Sequence, residues 1–198
     1  LEELEGVPTS YVDTSVQNGI EYSYAATSVY DEGAFESEFS NIAVAMPMSQ
    51  ISLQLSDGTV NDSDTLQLAL SMNNSEPVSG FQFDLVSSPD FLNLIGASID
   101  DDRVPESFQI SVNNDGRVLG FSLTGEAIPA GSGEILYLNF ISTAPEPSEV
   151  TVCTTGEIFS DSSSNPFDIT GDCGSVNITV NPIEISLSCN ADAVNQGD

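Results

Sequence analysis

The sequence predicts an all-β chain folded as a β-sandwich. Three observations carry the prediction. Apolar and polar residues alternate over short runs, as on strands with one buried face. Gly, Pro, Asn and Asp cluster between those runs, where they punctuate turns. No segment sustains the apolar period of a helix. Many short strands joined by such turns pack as two sheets. At 198 residues, 39% of them hydrophobic, the chain has room for one full domain and fragments of others.

The first strands fall in residues 1–46. Tyr22, Tyr24 and Ala26 point one way and Ser23, Ala25 and Thr27 the other. A Gly19 turn precedes this Tyr-x-Tyr strand, Asp31-Glu-Gly33 turns the chain, and Ser37 and Ser40 lead to Asn41-Ile-Ala-Val-Ala45. In that order these pieces resemble the last strands of a fibronectin type III domain. The resemblance implies the C-terminal part of such a sandwich, whose inner face must be covered by something else. Residues 47–50 read as a short linker with one proline.

The next strand is Ile51–Leu55. Thr65–Met72 places Leu66, Leu68, Leu70 and Met72 on one face. In Gly80–Leu85, Phe81, Phe83 and Leu85 go inward while Gln82 and Asp84 go outward. Asn113-Asn-Asp-Gly116 is a hairpin turn, because Asn and Gly accept positive φ. Leu119, Phe121 and Leu123 alternate after it, and Ile135–Ile141 is apolar on nearly both faces, as in a central strand. The expected core is Leu68, Phe81, Phe83, Phe121, Leu138 and Phe140. Without a gap, Ile51–Asp64 aligns with Ile185–Asp198, sharing Ile, Ser, Leu, Val, Asn and the final Asp. Residues 182–198 are therefore expected to begin a second, similar module.

Charge excludes several functions. Thirty-one Asp and Glu oppose two arginines, Arg103 and Arg117, for a net charge of −29. Such a surface repels phosphate backbones and anionic membranes, so no nucleic acid and no membrane insertion are expected. No apolar run is long enough to span a bilayer. Without His or Lys the chain cannot build a Ser-His-Asp or Cys-His site, an imidazole zinc site or a Schiff base. A carboxylate pair could cleave glycosides, but thirty-one acids make any one pair uninformative. The chain is read as not an enzyme.

Cys153 and Cys173 flank Thr154–Asp172, a segment rich in Ser, Asp and Asn, as though clipping the base of a loop. A bond there would stabilise the fold by about 3 kcal/mol, largely through the unfolded chain, and favours an extracellular setting. Two free core thiols are the alternative. Cys189 is the odd cysteine, at the repeat position of Leu55.

Calcium is the cofactor the acids suggest. Asp57, Asn61, Asp62 and Asp64 crowd the first turn, Asp100, Asp101 and Asp102 form a run, and Asp161, Asn165, Asp168 and Asp172 lie in the Cys-bounded segment. Hard oxygen donors on tight turns suit calcium, although Asx residues favour turns unaided, and both readings stand. No EF-hand spacing exists, because the first and twelfth positions around Gly116 are Ser111 and Ser122. Asn61, Asn73 and Asn177 open glycosylation tripeptides.

The middle of the chain carries a second resemblance. Pro77-Val-Ser-Gly-Phe-Gln-Phe-Asp-Leu-Val86, Ser87-Ser-Pro-Asp-Phe-Leu92, Arg117-Val-Leu-Gly-Phe-Ser-Leu123, Ile128-Pro-Ala-Gly-Ser-Gly133 and Glu134-Ile-Leu-Tyr-Leu-Asn-Phe140 follow in order. Together they resemble the cohesin family of extracellular modules over residues 51–181, or about 49–181. The resemblance implies a jelly-roll sandwich and a flat recognition face to which the third, fifth, sixth and eighth strands contribute. That face would carry Gln82, Asp84, Arg117 and Ser122. The cohesins best known to bind dockerins have outward Asn and Asp where this chain has Gly80 and Gln82.

Three functions follow. The leading expectation is a structural or adhesive module of a multi-domain surface protein, because similar modules in tandem beside a fibronectin-like domain suit a spacer and no aromatic binding strip is evident. The alternatives are recognition of a dockerin-like protein and binding of a polysaccharide. Sugar stacking would need Tyr or Phe, since Trp is absent, and Tyr11, Tyr30 and Tyr137 are scattered.

Overall fold

The computed structural model describes residues 10–30, 35–113 and 115–180. Strands are numbered in chain order. Near the N-terminus β1 (Tyr22–Tyr24) pairs with β4 (Ala43–Ala45), and β2 (Val29–Tyr30) with β3 (Phe35–Glu36), as two antiparallel ribbons. The remaining strands are β5 (Gln50–Leu55), β6 (Gly58–Asn61), β7 (Thr65–Asn74), β8 (Gly80–Ser88), β9 (Leu92–Ile99) and β10 (Phe108–Val112). After them come β11 (Arg117–Ser122), β12 (Gly131–Ser142), β13 (Ser148–Ser160), β14 (Asp168–Asp172) and β15 (Gly174–Thr179).

These strands build two facing sheets. One runs β10-β11-β8-β13-β15-β6 and the other β14-β5-β7-β12-β9. All pairings are antiparallel except β14 on β5 and β15 on β6, which are parallel. The inner faces meet over Leu68, Leu70, Met72, Phe83, Leu138, Phe140 and Phe159. Phe81 stacks between Phe83, Phe108 and Phe159 at centroid distances of 6.0, 6.4 and 5.3 Å. Thus β8 has the expected register: Phe81, Phe83 and Leu85 are buried, while Gln82 and Asp84 lie on the other side.

One core expectation is overturned. In β11 the buried residues are Val118 and Gly120, and Phe121 lies outside. The cause is steric. A Cβ on Gly120 would stand 2.1 Å from Cζ of Phe81, so the glycine leaves room for that ring and turns inward. Side chains alternate strictly, so Leu119 and Phe121 then point to solvent.

The Cys-bounded segment is also more regular than expected. β13 continues through Ser160, because Phe159 is fully buried and the strand keeps pairing with β8 as far as Ser160. Cys153 and Cys173 form a disulfide, with Cα atoms 4.4 Å apart. It ties β13 to the junction between β14 and β15, and so links the two sheets.

The first of the two arginines is a structural clamp. Arg103 donates to the carbonyl oxygens of Met72, Gly133 (2.6 Å) and Gly131 (2.8 Å) and to Oδ1 of Asn74. Asn74, itself buried, donates to the carbonyls of Glu76 and Pro129. Burial lowers the Arg103 pKa and the nearby Asp100 charge opposes that. The proposed second module, with Cys189, lies outside the described residues.

Candidate functional site

The outer face of the six-stranded sheet is the candidate site. Cross-strand register arranges its side chains in rows. Arg117 of β11 stands opposite Asp84 of β8, which stands opposite Thr155 of β13. One row along, Leu119, Gln82 and Ile158 are aligned, and in the next Phe121, Gly80 and Ser160. β10 adds Ser111 beside Leu119 and Gln109 beside Phe121.

This face carries several exposed apolar side chains. Leu119 (38%), Phe121 (37%), Ile158 (55%) and Leu123 (79%) are exposed, as is Val86 (47%) beyond the Arg117–Asp84 row. Neighbouring strands stand about 5 Å apart, so Leu119 and Ile158 flank Gln82 on either side. Exposed apolar clusters rimmed by polar groups mark binding surfaces, because burying them releases water.

Polar groups frame the cluster. Arg117 grips Asp84 with both arms, Nε to Oδ1 at 2.8 Å and a terminal nitrogen to Oδ2 at 2.9 Å. Those hydrogen bonds hold the Asp84 carboxyl below the ordinary carboxylate range and raise the Arg117 pKa in turn. Asp115 adds a second negative charge near Arg117. At the other end Glu126 accepts from Thr124 and donates its N–H to Ser122 Oγ.

Of the four residues expected on this face, Gln82, Asp84 and Arg117 lie there. Ser122 shares the inward side of β11 with Val118 and Gly120, and its hydroxyl is hydrogen bonded with Ser107 and Thr124 at 3.0 Å each. Sequence reasoning missed Leu119, Phe121, Ile158 and Val86. The signal available was Gly120 itself, a small residue where the paired strand carries a phenylalanine.

The expected calcium ligands are dispersed. Asp57 accepts from the Ser175 N–H at 2.8 Å, and Asp64 from Asn61 at 3.1 Å. The half-buried Asp62 donates its N–H to the Thr179 carbonyl. Asp161 closes an Asx turn, accepting from the N–H groups of Ser163 and Asn165 and from Asn165 Nδ2. Burial raises its pKa, but those hydrogen bonds to Asn165 and Ser163 outweigh that and lower it on balance. Asp168 and Asp172 stand at opposite ends of β14, roughly 13 Å apart at strand rise. Among the described residues no three acidic or cysteine side chains converge on a common point.

The tyrosines do not form a platform. Tyr11 and Tyr30 are exposed in the N-terminal part. Tyr137 lies on β12 of the other sheet, its hydroxyl held by Glu134 (2.7 Å) and Asp100 (2.8 Å). Those hydrogen bonds, to Glu134 above all, raise its pKa.

No protein-family model and no curated protein sequence matches this chain. Solved structures do match it. A type I cohesin–dockerin complex from Clostridium thermocellum aligns at 14% identity over 69% of this chain and 99% of that one, with a TM-score of 0.56. The seventh ScaB type I cohesin of Pseudobacteroides cellulosolvens aligns at 14% identity over 70% and 98%, TM-score 0.55. A non-cellulosomal cohesin of the archaeon Archaeoglobus fulgidus aligns at 15% identity over 66% and 91%, TM-score 0.51. The likeness is one of fold: the two facing sheets form a cohesin-like jelly-roll sandwich.

Proposed function

We propose that this chain is a non-catalytic protein-recognition module that captures a dockerin-like partner on the outer face of its six-stranded sheet. The observation that carries the proposal is the apolar cluster of Leu119, Phe121 and Ile158 outside a strand register pinned by Gly120. The fold supports it, since the Clostridium thermocellum neighbour was solved with a dockerin bound. Recognition moves ahead of a purely structural or adhesive role because Phe121 lies outside beside Leu119 and Ile158, an exposed apolar cluster that a spacer does not need. Sugar binding falls behind both, since the tyrosines are apart.

The rest of the setting belongs to the same proposal. The Cys153–Cys173 bond supports an extracellular or cell-surface location. The N-terminal ribbons are read as the end of a fibronectin type III-like domain, and residues 182–198 as the opening of a second similar module. Asn18 Nδ2 donates to Ser49 and Glu76, and Gly19 N–H to the Pro47 carbonyl, contacts that suit modules held side by side. Calcium enters as an ion drawn by turn carboxylates to a site it would have to organise itself. Melting curves in calcium, compared with EDTA at matched ionic strength, test that point.

The recognition proposal is tested by calorimetric titration with a panel of dockerin modules. Saturable one-to-one binding by at least one supports it. Binding by none, with the chain shown to be folded, overturns it.

A further inference from the structure

The apolar cluster of the outer face is interrupted at Gly80, which carries no side chain. β8 turns Phe81 inward, so the missing side chain of Gly80 is on the outer face. A Cβ built there meets only the Gly120 carbonyl oxygen, at 3.5 Å. Phe121 and Ser160 stand opposite it on the two neighbouring strands, and Leu119 and Ile158 lie one row along. At Gly80 the outer face is thus bare backbone with Phe121 on one side and Leu119 and Ile158 in the adjoining row, and a side chain has room above it.

The charges around it have one sign free to act. The chain has only two basic residues. Arg103 is held by backbone carbonyls and Asn74, and Arg117 by Asp84. Asp115 at one end of the cluster and Glu126 at the other are exposed, within a net charge of −29. Complementarity therefore demands an apolar anchor with cations beside it.

We propose that Gly80 is the floor of an anchor pocket that takes one aliphatic or aromatic side chain from a partner protein whose contacting element carries Lys or Arg next to that anchor. This rests on the recognition reading and specifies its partner. A strand position without positive φ accepts a side chain, so Gly80→Val fills the pocket without straining the backbone. Gly96 on β9 of the other sheet is the control, since a Cβ there meets nothing within 4 Å.

The test uses a displayed library of helical hairpins, randomised on one face to apolar, basic, acidic and polar residues, selected on the whole chain. The expected winners pair an apolar residue with Lys or Arg, and Gly80→Val weakens them by on the order of tenfold or more while Gly96→Val leaves them unchanged. Melting curves verify folding of both variants, and should Gly80→Val unfold, Gly80→Ala must show a smaller loss of the same sign. Winners that lose binding with Leu119→Ser but not with Gly80→Val overturn the pocket and leave the recognition face standing. Winners indifferent to both substitutions overturn both. Enrichment of acidic residues beside the anchor overturns the charge assignment.

Discussion

The Phe81 ring fills the space that a Cβ on Gly120 would need, with Cζ 2.1 Å from that position. This contact between neighbouring strands sets which face of β11 is which. Because Gly120 must turn inward, Phe121 cannot, and an aromatic residue that would otherwise enlarge the core becomes part of the surface. The recognition face depends on that choice of register.

Stability therefore separates two phenylalanines of similar sequence context. Phe83→Ala removes a fully buried ring and is expected to cost about 3–5 kcal/mol. Phe121→Ala is expected to cost about 1 kcal/mol or less. Urea unfolding of the two variants checks this, and equal losses would place Phe121 in the core. Gly120→Ala, which forces a Cβ into the Phe81 ring, should destabilise more than Phe121→Ala does.

Arg103 should prove structural. Arg103→Ala leaves the carbonyls of Met72, Gly131 and Gly133 without their donor, and a loss of about 2–4 kcal/mol is expected. Arg103→Lys should rescue little, because one ammonium cannot reproduce the fork. Thermal melts that show full rescue by lysine would reduce the clamp to simple charge.

Asp84 gives a pH signature. Its pKa is lowered in the folded chain by Arg117, so the pair contributes stability above the unfolded carboxylate value near 3.8 and loses it as pH falls through the lower folded value. Wild type should exceed Asp84→Asn in stability at neutral pH, and the difference should shrink to nothing in strong acid. A difference that persists unchanged in acid would mean the hydrogen bonds, not the charge, carry the effect.

The disulfide should be quantitative in freshly purified protein. Non-reducing mass spectrometry is expected to find neither Cys153 nor Cys173 alkylated. The double replacement by Ser should lower stability by about 3 kcal/mol. Alkylation of both thiols without reductant would remove the bond and with it one support for the extracellular setting.

Strand existence was legible along most of the chain, because alternation in β7, β8 and β12 follows from one buried face. The side to which β11 turns was not legible, for a physical reason. Val118 is apolar on one parity and Leu119, Phe121 and Leu123 on the other, so hydrophobic count favours the wrong face. Only the ring of Phe81, on a strand more than thirty residues away, decides it. The parallel addition of β14 to β5 was equally hidden, since edge residues such as Asp168 and Asp172 read as loop. The Arg117–Asp84 pair was legible as two face residues but not as a bidentate contact, which needs the register between β8 and β11.

The most direct test of the recognition face is calorimetric titration of the Leu119→Ser/Phe121→Ser double variant beside wild type with dockerin modules. The account predicts that a dockerin binding wild type loses at least about a hundredfold in affinity, by truncation of two central anchors, while the variant still melts cooperatively near the wild-type temperature. A double variant that binds as tightly as wild type would contradict the assignment of this face.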